Sequence, residues 1–179
     1  MLLRRVLSRY LPVDPGAWRF GNGPYGRPDI LEPVCPLRFS VAHTGGLIVI
    51  GVCAGAEVGV DVERRDRGRV PLPVADRWFA PAEAAALRAL PVAARRRRFL
   101  ELWTLKEAYV KARGLGLLAM PLDRFVIDLA GGAPRLLAAA DDDPARWRLH
   151  SLELGEHLVA VATTASAGLI LHDAGELSA

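Results

Sequence analysis

Strand-like segments lie on both sides of a central helical region, and this order restricts the possible folds more than any other feature. Apolar or alternating runs occupy residues 38–63 and 125–163, and three helical patterns lie between them, with prolines at 73, 81 and 91 at their starts. Strands, then helices, then strands again are typical of an α+β fold. We expect the first three strands to form an antiparallel meander whose second strand, 47–54, is buried.

The N-terminal part of the chain has fewer regular patterns. A short helix is predicted over 1–9, where apolar residues recur on one side. The segment 11–36 is rich in glycine and proline, so we predict mostly loop there, with a short strand at 18–20.

Composition excludes several classes of protein. The chain has 179 residues, of which 51% are hydrophobic and 24% charged, which suits one globular domain or two small lobes that share a core. No apolar run reaches the length of a membrane span, and the first residues do not form a signal peptide. The two cysteines show no spacing typical of a zinc site or a disulfide framework. We therefore expect a cytoplasmic protein with no membrane partner.

The positive charge is modest and is carried almost entirely by arginine. The net charge is +3, and four arginines follow one another at 95–98. Because this run precedes an apolar helical pattern, we interpret it as a solvated helix turn or a dock for an acidic protein, and we expect no nucleic acid partner. The two lysines, Lys106 and Lys111, both lie in one six-residue stretch, which suggests that a compact ammonium group is needed there.

Two carboxylates share one face of a predicted strand. Over 58–63 valines alternate with other residues, so Asp61 and Glu63 point to the same side, about 7 Å apart at Cα. Like charges at that distance repel each other. Either this face is solvated, or a cation belongs beside it.

A second group of polar residues lies on the long predicted helix. Trp103, Glu107 and Lys111 recur every four residues and so share one stripe. Alone, Glu107 and Lys111 are best explained as an exposed ion pair, and His43, at a strand end, as a structural histidine. Taken together, three carboxylates could hold Mg²⁺, while the lysine and histidine could contact phosphates.

Five motifs in this sequence resemble the 4′-phosphopantetheinyl transferases, of the type that activates surfactin synthetase. They are YGRP (25–28), FSVAHTGG (39–46), GVDVE (59–63), RWFAPAE (77–83) and WTLKEAYVKARGLGL (103–117). They occur in the order of that family and at close to its spacing, over roughly residues 1–130. Each motif alone is weak, and the set in order is specific.

The resemblance implies a fold and an activity. The fold is α+β, with two pseudo-symmetric lobes of antiparallel sheets, here 1–64 and 65–179. The activity is Mg²⁺-dependent transfer of 4′-phosphopantetheine from coenzyme A to a serine of an apo acyl or peptidyl carrier protein by a monomer. Members of this type carry further residues before the position of Met1, so we expect a shortened first lobe.

The resemblance also implies roles for individual residues. The implied magnesium ligands are Asp61, Glu63 and Glu107; the implied catalytic residues are Glu107 and Lys111; the implied coenzyme A contacts are Tyr25, Gly26, Arg27, Pro28, His43, Thr44 and Lys111. Arg27 stands where the family has lysine. Glu83 matches a family glutamate, although its position after Pro81 fits a helix cap equally well.

Two other functions remain open on the sequence. A degenerate family member would bind coenzyme A or a carrier protein without turnover. An unrelated Mg²⁺-dependent phosphatase or nuclease would use the same carboxylates to hydrolyse a phosphoester without a carrier protein.

Overall fold

The computed structural model of the chain describes residues 1–66, 72–116 and 119–173, and it has the predicted α+β architecture. The helices are α1 (Leu2–Leu7), α2 (Leu72–Trp78), α3 (Pro81–Ala89) and α4 (Val92–Ala112). The strands are β1 (Arg19–Asn22), β2 (Pro28–Glu32), β3 (Leu37–Thr44), β4 (Leu47–Ala54), β5 (Val58–Arg64), β6 (Phe125–Asp128), β7 (Arg135–Ala139), β8 (Arg148–Leu154) and β9 (His157–Thr163). Leu117, the last residue of the fifth motif, lies outside the described residues.

The described strands form small antiparallel sheets, as predicted. Three are hairpins, β1–β2, β3–β4 and β6–β7, and the fourth is a three-stranded sheet in the order β5–β9–β8. The β3–β4 hairpin turns at Gly45 and Gly46, where Gly46 has a φ of +86° that favours glycine.

The predicted meander β3–β4–β5 is wrong, because β5 pairs with β9, about 100 residues later, and places Asp61 opposite Ala160. The valine face of β5 packs onto the β3–β4 hairpin instead of extending it. Gly51 of β4 makes this possible, since a Cβ there would come within 2.6 Å of the Val60 side chain. The sheets are therefore layered, and a hydrogen bond from Val60 N to Ser40 Oγ (3.1 Å) links β5 to β3.

Two further expectations differ from the structure. Strand β4 is only half-buried, and Ile48 is 56% exposed, because β4 lies at the edge of a two-stranded hairpin. Strand β2 was not predicted, since its proline and glycine-rich surroundings favour a loop; it is stabilised by pairing with β1.

Helix α4 is the centre of the main hydrophobic core. It begins after Pro91 and ends before Gly114, whose φ of +67° suits a helix C-terminus. Tyr109 of this helix is fully buried, and the centroid of its ring lies 4.8 Å from that of Phe125 and 4.9 Å from that of Trp147. Burial of each such side chain stabilises the fold by roughly 1.5–3 kcal/mol.

The opposite side of α4 lies unusually close to β5. A Cβ on Gly59 would be 2.0 Å from the Ala108 carbonyl oxygen and 2.4 Å from the Ala112 nitrogen. A glycine facing two alanines thus allows helix and strand to touch through their backbones. As a result, the acidic face of β5 lies directly against the last two turns of α4.

None of the described helices combines the length and the apolar character that crossing a lipid bilayer requires.

Candidate active site

Asp61 and Lys111 meet where β5 contacts α4. Lys111 Nζ lies 2.7 Å from Asp61 Oδ1, and the Asp61 residue is only 8% exposed. Burial raises the pKa of Asp61, and the ammonium of Lys111 partly offsets that rise. The pair is held by the close approach at Gly59, two residues before Asp61 on the same face of β5.

Glu107 lies one helical turn before Lys111 and is half-buried. Burial, together with the negative charges of Asp61 and Glu63, raises the pKa of Glu107 to about 7, although the ammonium of Lys111 acts in the opposite direction. A carboxyl group that titrates near neutral pH is suited to take up and release a proton during a reaction.

The raised pKa of Glu107 predicts a pH-dependent stability effect. Between the unfolded pKa of 4.5 and the folded value of about 7, the folded state binds a proton that the unfolded state does not. Wild-type stability is therefore lost as the pH rises through this window. In metal-free buffer, Glu107→Gln should raise the free energy of unfolding at pH 8 by about 1–2 kcal/mol, because partial exposure screens the full effect.

Urea denaturation at pH 5 and pH 8, with EDTA present, measures this effect. Glu101→Gln is the matched control, because Glu101 lies on the same helix and its carboxylate pairs with Arg98. The increase in the free energy of unfolding caused by Glu107→Gln should be small at pH 5 and larger at pH 8. An equal gain at both pH values would contradict the assigned titration.

The resemblance implies magnesium, and the donor chemistry at this site fits that ion. The Oδ2 atom of Asp61 is buried and, within the described part of the chain, has no hydrogen-bond partner. Asp61, Glu63 and Glu107 carry carboxylate oxygens, which are the type of ligand that Mg²⁺ prefers. Among residues 1–66, 72–116 and 119–173, however, no group of three or more acidic, histidine or cysteine side chains is arranged to hold a metal ion.

A groove of about 240 Å³ adjoins the Asp61–Lys111 pair. One wall is the loop Tyr25–Gly26–Arg27–Pro28, and the other includes Lys111 of α4 and the residues Gly114 and Leu115 that follow the helix. Gly26 has a φ of +81°, which the turn requires. The structure thus brings together the first and the fifth of the sequence motifs, and Lys111 belongs to both the groove and the ion pair.

His43 and Thr44 end β3, near this groove. Phe39 and Val41 of β3 line the groove, and His43 follows on the same face of the strand. His43 is exposed and Thr44 is half-buried. Among the described lining residues the groove contains neither of them, so their phosphate contacts stay a prediction.

Glu83 and Lys106 form a buried ion pair away from the groove. Lys106 Nζ lies 2.7 Å from Glu83 Oε2 and donates to the carbonyls of Leu122 (2.7 Å) and Phe125 (2.8 Å). Glu83 also accepts the Ala80 N–H, so the helix-capping alternative holds for it. Of the two lysines, one is therefore structural and one lies at the site.

Trp103, on the stripe with Glu107, packs against aromatic neighbours. Its ring stacks on that of Phe99 with the centroids 6.0 Å apart, and its centroid lies 6.4 Å from that of the Phe79 ring. Trp103 therefore extends the core next to the site.

Sequence reasoning missed Glu57 and Arg38. Arg27 Nη1 lies 2.9 Å from Glu57 Oε2, and Arg38 Nε lies 3.5 Å from Glu57 Oε1. No periodicity or motif singles out Glu57, because its contacts depend on how the first motif folds back onto the turn before β5.

Comparison with known proteins supports one family. A family model of the 4′-phosphopantetheinyl transferase superfamily matches residues 57–162. The 4′-phosphopantetheinyl transferase HetI of Nostoc sp. is 32% identical over 169 residues, which is 93% of this chain and 69% of HetI.

Two relatives from Bacillus subtilis match over a shorter region. A 4′-phosphopantetheinyl transferase is 34% identical over 130 residues, and Sfp, a 4′-phosphopantetheinyl transferase of strain 168, is 33% identical over 132 residues. Each match covers 72% of this chain and 55% of the relative. The chain spans about half the length of the first curated relatives that it matches.

Proposed function

Because the chain belongs to the 4′-phosphopantetheinyl transferase superfamily and is similar to its Sfp-type members, we propose that it transfers 4′-phosphopantetheine from coenzyme A to a carrier protein. The acceptor is a serine of an apo acyl or peptidyl carrier protein, of a fatty-acid, polyketide or peptide synthetase. The proposal rests most on Lys111, which lines the groove and also pairs with the buried Asp61.

The proposed site uses both parts of the chain. Residues 1–64 would supply the groove loop and β5, and residues 65–179 would supply α4. In this proposal coenzyme A lies in the groove, with Tyr25–Pro28 and His43–Thr44 contacting its nucleotide and phosphates. A single copy of the chain carries all of these residues, and the proposed reaction takes place in the cytoplasm, where coenzyme A and apo carriers meet.

Asp61, Glu63 and Glu107 are the residues that would hold Mg²⁺. When bound, the ion would neutralise charge on the coenzyme A pyrophosphate. The unpartnered Oδ2 of Asp61 supports this part of the proposal.

The proposed reaction gives one role to Glu107 and one to Lys111. Glu107 takes the proton of the carrier serine, a role that its position one helical turn from Lys111 supports. The serine oxygen forms a bond to the phosphorus that bears the pantetheine arm, and the bond from that phosphorus to the bridging pyrophosphate oxygen breaks. Adenosine 3′,5′-bisphosphate leaves, and the ammonium of Lys111 offsets the charge that grows on it.

Intact-mass spectrometry tests the proposed function. The purified chain is incubated with coenzyme A, Mg²⁺ and a panel of apo carrier proteins. We expect one carrier to gain the mass of a single phosphopantetheinyl group, and EDTA should abolish the gain. Binding of coenzyme A without any mass gain would support the degenerate-member alternative, and phosphoester hydrolysis without a carrier would support the hydrolase alternative.

A further inference from the structure

Four charged side chains of alternating sign connect the groove loop to the rest of the fold. Arg27 pairs with Glu57 at 2.9 Å, Glu57 with Arg38 at 3.5 Å, and Arg38 with Asp29 at 3.3 Å. Arg27 and Asp29 flank Pro28, so the groove loop is tied down on both sides of that residue. We call these four residues the charge chain.

Arg27 is also bonded to the end of α4. Its Nη1 donates to the carbonyl oxygen of Ala112 at 2.9 Å, at the end of the helix where a cation is favourable. Gly114 lies beneath the arginine, since a Cβ there would be 3.1 Å from Arg27 Cδ. The guanidinium therefore bridges the two walls of the groove.

Glu57 is a firm support for this bridge. Its backbone oxygen accepts from Thr163 Oγ1 at 2.7 Å and from Thr164 N at 3.1 Å, and its N–H donates to Thr164 Oγ1 at 3.0 Å. These bonds fix Glu57 to the end of β9, the middle strand of the three-stranded sheet. The side chain of Arg27, only 17% exposed, rests on that support.

We propose that Glu57 is a positioning residue, which acts through Arg27 to fix the Tyr25–Pro28 loop against α4 and so sets the width of the groove for coenzyme A. This inference rests on the proposed function. Arg38 and Asp29 hold the other side of Pro28 and limit the loop's rotation. In this role the Arg27 guanidinium joins the two walls of the groove, because it binds both the Glu57 carboxylate and the Ala112 carbonyl oxygen.

The proposal predicts an effect opposite to simple electrostatics. Coenzyme A is an anion, so removing the negative charge of Glu57 near its groove should strengthen binding if charge alone mattered. If Glu57 positions the loop, Glu57→Gln should weaken binding because the groove wall is no longer fixed. The sign of the change separates the two.

The first experiment measures the affinity for coenzyme A by isothermal titration calorimetry, and KM and kcat with an apo carrier. Glu57→Gln should raise Kd and the KM for coenzyme A about 5- to 10-fold and change kcat less than about 2-fold, since loosening costs roughly one ordinary hydrogen bond. Arg27→Gln should lower the binding free energy for coenzyme A. Arg27→Lys, which keeps the charge, should lose more than half as much, because an ammonium does not reproduce the planar bridge.

Glu153→Gln is the matched control. Glu153 also binds two arginines, Arg65 at 2.8 Å and Arg97 at 2.6 Å, and it does not line the groove. It should leave Kd, KM and kcat unchanged. Unchanged or tighter binding by Glu57→Gln would overturn the proposal.

A second measurement does not depend on the proposed function. The Gly26 N–H donates to the Gly23 carbonyl (2.9 Å), and the Gly23 N–H to the Arg27 carbonyl (2.8 Å), so their hydrogen exchange reports the order of the loop. In the ligand-free protein, Glu57→Gln should speed this exchange and Glu153→Gln should not; equal rates would overturn the proposal. If the wild type binds no coenzyme A, the proposed function fails, and exchange alone decides whether Glu57 positions the loop.

Discussion

Replacing Lys106 with methionine is expected to lower the free energy of unfolding by about 3–5 kcal/mol. Lys106 is fully buried, and its ammonium binds Glu83 Oε2 and the carbonyls of Leu122 and Phe125. Methionine fills a similar volume but removes the cation from the buried Glu83 carboxylate, which keeps only the Ala80 and Ile127 N–H groups, and it removes the ammonium donor from the two carbonyls. Burial lowers the pKa of Lys106, and the carboxylate of Glu83 opposes that change.

Chemical denaturation of Lys106→Met measures this loss. Arg97→Met is the control, because Arg97 lies on the same helix with a side chain that is 70% exposed and pairs with Glu153. The control should change stability by less than about 1 kcal/mol, as is usual for exposed ion pairs. Similar small effects for both variants would show that the buried pair does not stabilise the fold.

Asp61→Asn is expected to lower the rate of phosphopantetheine transfer by about 10²–10³-fold. The change keeps the shape of the side chain and removes the charge that holds Lys111 at 2.7 Å. It also replaces Oδ1 or Oδ2 with an amide nitrogen, which cannot bind a cation. The rate of mass gain of an apo carrier is the measurement.

The matched control for Asp61→Asn is Asp128→Asn. Asp128 also pairs with a cation, since its Oδ2 lies 2.7 Å from Arg135 Nη2. It is the last residue of β6, and it does not line the groove. The control should transfer at the wild-type rate. If Asp61→Asn retains the full rate with an unchanged denaturation midpoint, Asp61 has no part in the reaction.

The acidic face of β5 could be predicted from the sequence, but what it faces could not. Alternation places Asp61 and Glu63 on one side of the strand regardless of its neighbours. Contact with α4 depends on Gly59 opposite Ala108 and Ala112, three small residues from distant parts of the chain. A glycine within a strand indicates a close approach without naming its partner.

The roles of the two lysines show the same limit. Their confinement to one stretch indicated a need for ammonium groups, and the structure gives each of them a carboxylate partner. Their separation of five residues places them on different faces of α4, one towards the core and one towards β5. Sequence spacing alone could not decide which face is buried.

Strand pairing was the least predictable part of the fold. Local patterns favoured a meander of neighbouring strands, whereas β5 pairs with β9. The missing side chain at Gly51 and the cover on both faces of β5 decide this, since the valine face packs on the hairpin and the face with Gly59 and Asp61 packs on α4. Such two-sided burial is not visible in a strand read alone.

The affinity of Lys111→Met for coenzyme A tests the central claim most directly, because Lys111 joins the groove to Asp61. Calorimetric titration in Mg²⁺ buffer would compare it with the wild type and with Arg97→Met. A lysine bonded to a phosphate contributes about 1.5–3 kcal/mol, so we predict a Kd raised about 10- to 100-fold in Lys111→Met and unchanged in the control. Wild-type affinity in Lys111→Met would contradict coenzyme A binding at this groove.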